Sequence, residues 1–175
     1  MTRAAAMIAC VLTQACAMAR IEPGDTVYVS TLFTAEQAGA IIAAADEWDR
    51  ATHDSVRLHM VIGDETHRHF IVPSRSVGNA HFGVTIRPWF RDDVTIQLDV
   101  GSIETFATDD IRGVKQVAMH ELMHALGYEE HEPVGLMREN ITPGDAPCID
   151  GGTAALYCEM HPCPRGWVDT CVAAP

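Results

Sequence analysis

The stretch His120-Glu121-Leu122-Met123-His124-Ala125-Leu126-Gly127-Tyr128-Glu129-Glu130-His131 sets two imidazoles four residues apart, with a carboxylate beside the first. On a helix, positions i and i+4 share one face, a turn apart, so both rings can point at a single ion. Zinc takes such nitrogens at about 2.0 to 2.1 Å, and a catalytic site adds a third protein ligand and a water whose pKa falls towards about 7. Glu121 stands where a general base would accept that water's proton. Composition alone would produce the H-E-x-x-H pattern about three times in a hundred chains of this make-up, so its surroundings must decide. They favour the site. Ile111 to Leu126 reads as a helix opened by Asp109 and Asp110, with Val114, Val117, Ala118, Leu122 and Ala125 as its buried stripe. Gly127 can close it, because the residue after a helix end often needs a positive φ. On a straight helix His131 would lie about 10 Å further along the axis than His124. A turn at Gly127 is what could fold it back. Beyond the turn, Gly135-Leu136-Met137 is a compact apolar step that could run beneath the site.

Working outward towards the N-terminus, Thr26 to Ser30 alternates apolar and polar residues and reads as a strand. Thr34 to Arg50 follows as a helix, with Ala38, Ile41, Ile42, Ala45 and Trp48 at helical spacing behind Thr34 as N-cap. Val56 to Ile62, Phe70 to Val72, His81 to Ile86 and Val94 to Val100 are β-rich runs bounded by Gly, Pro, Asn or Asp. Five strands with these helices give an α/β-like upper lobe over residues 20–127, and residues 128–175 form a lower lobe of the same domain. No internal repeat is present.

The two ends speak to the compartment. Residues 1–19 carry one early charge, Arg3, then an apolar run from Ala4 to Leu12, then small residues at Ala15, Ala17 and Ala19. That is the layout of a signal peptide, too short to span a bilayer, and it makes the protein secreted or periplasmic, with a lipoprotein anchor at Cys16 as the alternative. Removing it leaves Cys148, Cys158, Cys163 and Cys171, which in an exported chain read as two disulfides. If Gly151 to Glu159 is helical behind Asp150, Cys148 and Cys158 lie about 15 Å apart, beyond the roughly 7 Å limit for bridged Cα atoms. Two connectivities stay open: 148 to 163 with 158 to 171, or 148 to 171 with 158 to 163. The 175 residues carry a net charge of -12, which excludes a nucleic-acid binder held by a basic surface. No later stretch is apolar enough for a membrane span.

On these residues the chain resembles the metzincin clan of zinc endopeptidases, and within it the matrixin-like bacterial members. The resemblance covers nearly all of residues 20–175, including a Met-turn matched by Met137 and a last helix matched by the stretch ending Ala154-Ala155-Leu156-Tyr157. The clan's signature H-E-x-x-H-x-x-G-x-x-H maps onto His120, Glu121, His124 and Gly127, and places its final His at position 130. Here that position is Glu130, and the imidazole follows at His131. Either a one-residue bulge delivers His131, or Glu130 is a carboxylate ligand. The resemblance implies an α+β, metzincin-like zincin fold: a five-stranded mixed sheet with two long helices, the active-site helix, the Met-turn and a small disulfide-bonded C-terminal subdomain. It implies one catalytic Zn2+ held by His120, His124 and His131, Glu121 as the base, and Met137 as the floor of the site.

It further implies that the fourth strand, His81 to Ile86, is an edge that pairs with an extended protein or peptide substrate. That implication has independent physics, since an open edge offers unpaired N–H and C=O groups that hold a peptide backbone without demanding much of its sequence. The expectation is a secreted, monomeric, zinc-dependent endopeptidase. The alternative is an inactive zinc- or peptide-binding module on the same fold. No Cys lies between Arg20 and Cys148, so no thiolate from an N-terminal segment is expected on the metal. His67, His69 and His81 could hold a second, structural zinc, and the pairs Asp92-Asp93 and Asp109-Asp110 could hold calcium. Singly bonded histidines, loop charge and helix N-terminal charge account for them more simply.

Overall fold

The apolar alternation that begins at Thr26 builds a strand whose two flanking neighbours run parallel to it, which requires crossover connections rather than hairpins. The computed structural model describes residues 19–63, 68–75, 82–88, 91–107, 109–139 and 147–172. Among them the chain runs β1 (Thr26–Ser30), α1 (Ala35–Ala51), β2 (His59–Gly63), β3 (His69–Ser74), β4 (Gly83–Ile86), β5 (Val94–Asp99), α2 (Val100–Phe106), α3 (Asp110–Ala125) and α4 (Gly151–Met160). The sheet order is β2-β1-β3-β5-β4. β1 pairs in parallel with β2 and β3, and β3 with β5, whereas β4 lies antiparallel on β5 at the sheet's edge. The fold is therefore α+β with a five-stranded mixed sheet and four helices.

α1 starts where Thr34 caps it: Oγ1 accepts from the Gln37 N–H at 3.2 Å, and Gln37 Oε1 accepts from the Thr34 N–H at 3.0 Å. This reciprocal pair satisfies two of the donors that a helix start leaves open. α1 and α3 pack on each other and on the sheet, burying Ile41, Ala44 and Trp48 from one and Val114, Ala118 and Leu122 from the other against Val29, Ile71, Ile96 and Leu98. Two polar contacts fix their register. The Trp48 indole Nε1–H donates to the Met119 carbonyl at 3.0 Å. The single lysine, Lys115, donates to the buried Glu47 at 2.7 Å, and Arg50 bonds the same carboxylate oxygen at 2.9 Å.

Some boundaries differ from the sequence expectation. β2 begins at His59, not Val56, because His53, Asp54 and Arg57 adopt positive φ in a turn where the Arg57 N–H donates to Asp49 Oδ1 at 3.0 Å. Val100 ends no strand. It opens α2, a helix the sequence reading did not foresee, where the Asp99 side chain accepts from the Ser102 N–H at 3.0 Å.

In the C-terminal part, α4 is capped by Asp150, and the bridges are Cys148–Cys171 and Cys158–Cys163, the second of the two open connectivities. No helix of the described residues is long and apolar enough to cross a membrane. The expected signal peptide, apart from Ala19, lies outside the described residues, as do His67 and His81.

Candidate metal centre

α3 carries its polar cluster into the interior. His120 is 4% exposed and Glu121 5%. A buried imidazole needs a partner for each nitrogen, and the backbone supplies one side of the answer. His120 Nδ1–H donates to the Leu136 carbonyl at 2.8 Å, and His124 Nδ1–H donates to the Tyr128 carbonyl at 2.7 Å. A carbonyl can only accept, so both rings carry their proton on Nδ1 and turn an Nε2 lone pair inward.

Those lone pairs converge. His124 Nε2 lies 3.0 Å from His120 Nε2 and 3.3 Å from His131 Nε2. The three imidazoles are the one set of three potential metal-binding side chains brought together among the described residues. Facing lone pairs repel unless a cation sits between them. A tetrahedral ion with Zn–N bonds of about 2.0 to 2.1 Å spaces its ligand nitrogens about 3.3 to 3.4 Å apart, close to the separations here. The His120 pKa falls to about 3, driven first by burial and also by the neighbouring imidazoles, with the Leu136 hydrogen bond opposing. Burial also lowers that of His124. Both rings are thus neutral at ordinary pH, the state a metal requires.

The turn that delivers His131 is a helix end of the Schellman type. The Gly127 N–H donates to the His124 carbonyl at 3.0 Å and the Tyr128 N–H to the Met123 carbonyl at 3.2 Å, with Gly127 at φ +113°. The chain folds back instead of continuing along the axis. His131 faces the other two rings, and Glu130 is exposed and outside the cluster. Of the two alternatives for a third ligand, the geometry assembles the imidazole.

Glu121 is held by β4. Thr85 Oγ1 lies 2.8 Å from Glu121 Oε2 and 2.9 Å from the Glu121 carbonyl, so one hydroxyl proton is shared between them. Burial pushes the Glu121 carboxyl up to about 7, partly opposed by this hydrogen bond. Gly83 explains how the strand comes so near. A Cβ there would stand 2.7 Å from Glu121 Cγ and 2.8 Å from Oε1, so any side chain would force the carboxylate or the strand to shift. After β4, Arg87 pairs with Glu129 at 3.2 Å, in the turn that carries His131.

Met137 is fully buried, and the direct contact with His120 comes from the carbonyl of its neighbour Leu136. Asp150 steadies that turn. Its Oδ2 accepts from the Leu136 N–H at 2.8 Å and from the Thr153 hydroxyl at 2.8 Å, while Oδ1 accepts from the Thr153 N–H at 3.0 Å. Gly135 leaves room for it, since a Cβ there would fall 2.6 Å from Asp150 Oδ2.

Three of the other residues raised by the sequence, all among the described ones, have neighbours of their own. His161, on the face of Tyr157, donates from Nε2 to the Leu126 carbonyl at 2.9 Å. His69 is buried with Nε2 3.3 Å from an Asp25 carboxylate oxygen. Asp109 caps α3, accepting from the Arg112 N–H at 3.0 Å. Sequence reading missed Thr85 and Gly83, and read Asp150 only as the cap of α4, not as the partner of the Leu136 N–H. A glycine inside a strand, which often marks a close approach by another element, was the one signal that pointed to β4. Neither the known protein families nor the curated protein sequences give a match to this chain.

Proposed function

We propose that this protein is an exported zinc-dependent endopeptidase of the metzincin type, similar to the matrixin-like bacterial members. The observation that carries the reading is the meeting of three Nε2 atoms, two of them with lone pairs fixed by backbone carbonyls, at the end of a helix whose buried Glu121 directly follows the first ligand. His120, His124 and His131 would hold the ion. When bound, zinc supplies a Lewis acid for the peptide carbonyl and lowers the pKa of a water at its open position. Glu121 accepts the water's proton and returns it to the departing amine. The desolvated setting that raises its pKa towards 7 suits a group that must do both.

The β4 edge receives the substrate. The Asp99 N–H donates to the Phe82 carbonyl, so by the alternation of an antiparallel ladder the peptide groups of Val84 and Ile86 face β5, and those of Gly83 and Thr85 face outward. An extended peptide can add there as a further strand. Export is supported by the two disulfides.

The test is cleavage of casein or a quenched peptide by wild type and by Glu121→Ala, with bound zinc measured in each. Cleavage by wild type alone, at equal zinc, is expected. Equal zinc with no cleavage by either would assign the chain to the other class, a zinc- or peptide-binding module.

A further inference from the structure

Two residues of β4 face Glu121 from the same side of the strand, and each contacts it differently. Thr85 bonds its carboxylate with a hydroxyl at 2.8 Å, and Gly83 presents a bare Cα where any side chain would strike Cγ and Oε1. A carboxylate on a helix can occupy several rotamers, and the one that serves a general base must be selected by its neighbours. Here the selection comes from the edge strand, 36 positions away in sequence for Thr85. The peptide groups of the same two residues point outward from the sheet. The residues that orient the carboxylate are therefore the ones that offer backbone bonds to an added strand.

We infer that Thr85 is a positioning residue for Glu121, its hydroxyl holding the carboxylate in the orientation that proton transfer needs, with Gly83 providing the space. The inference rests on the peptidase reading for its kinetic consequence, but not for its structural one. Replacing the Thr85 side chain leaves the strand's peptide groups in place, so substrate binding is unchanged while the base loses its orientation. A general base contributes 10²–10⁴-fold when correctly placed, and a hydrogen bond to a charged group is a strong one. Losing it lowers kcat by about 10- to 100-fold, with KM unchanged. Thr85→Ser keeps the hydroxyl and stays within about three-fold of wild type.

The experiment compares zinc-loaded wild type, Thr85→Val and Thr85→Ser by steady-state kinetics on a quenched peptide, by zinc content and by crystal structure. Expected are equal zinc in all three, a kcat defect confined to Thr85→Val, and a Glu121 carboxylate rotated away from its wild-type position in that variant alone. The inference is overturned by wild-type kcat in Thr85→Val, by a defect in KM instead of kcat, by failure of Thr85→Ser to restore the rate, or by a carboxylate unmoved in the Thr85→Val crystals. If wild type cleaves nothing, the peptidase reading fails, and the crystal comparison decides the positioning role by itself. Should Thr85→Val not fold, Thr85→Ala takes its place, read by the same kinetics and crystal comparison, and wild-type kcat or an unmoved Glu121 carboxylate there overturns the inference.

Discussion

A third imidazole is useful only if the chain turns towards the first two, and Gly127 at φ +113° is the residue that turns it. The consequence is sharp at two neighbouring positions. His131→Ala should weaken zinc binding by more than about 100-fold, beyond the 10- to 100-fold typical of an outer-shell change, whereas Glu130→Ala should leave it unchanged, as read by competition with a chromophoric chelator. Equal losses in the two variants would show that the turn is wrong. Gly127→Ala should mimic the histidine loss in part, because a Cβ at that φ strains the turn. His120, Glu121 and His124 were legible in the sequence because a helix converts spacing into direction. His131 was not decided there, since one residue of offset cannot be resolved without the path of the turn. Thr85 was illegible for another reason: contact between β4 and α3 depends on sheet order, which no local pattern encodes.

Between elements, α1 and α3 are joined by an indole and by an ion pair. Trp48→Phe keeps most of the ring's volume but removes the donor to the Met119 carbonyl, and should cost about 1 to 2 kcal/mol in urea unfolding. Asp150 gives a pH test. Burial alone would raise its pKa, but hydrogen bonds from the Leu136 and Thr153 N–H groups and the Thr153 hydroxyl hold it below the ordinary 3.8. A carboxylate depressed on folding adds stability that is present above its unfolded pKa and is lost as pH falls through the folded one. Asp150→Asn should therefore flatten the acid limb of a stability-against-pH curve below about pH 4, and a limb as steep as wild type's would refute the role. β1 was readable from alternation, the other strands from β-rich runs bounded by turn residues, and α1, α3 and α4 from caps or apolar spacing. α2 was not, because seven residues carry less than two turns of periodicity and the strand-like Val100 continues β5 without a break.

At the scale of the molecule, the C-terminal segment is fastened by two bridges of unequal reach. Cys148–Cys171 spans 23 positions and Cys158–Cys163 spans 5, so chain entropy assigns them about 3 and about 2 kcal/mol. The double variant Cys148→Ser/Cys171→Ser should lower the unfolding midpoint more than Cys158→Ser/Cys163→Ser. The reverse order would mean that the short bridge carries the load. Cys148 lies two residues before Asp150, so loss of the longer bridge should also loosen the turn that presents Leu136 to His120. The cysteine pairing was half legible: helix geometry removed one arrangement, and only the fold separated the other two.

The acceptors that orient His120 and His124 are peptide carbonyls, those of Leu136 and Tyr128. No side-chain substitution at either position deletes them, so the orienting role is indifferent to residue identity as long as the backbone keeps its route. An engineer transplanting the three histidines onto another helix would obtain rings free to spin, unless both loops travelled with them.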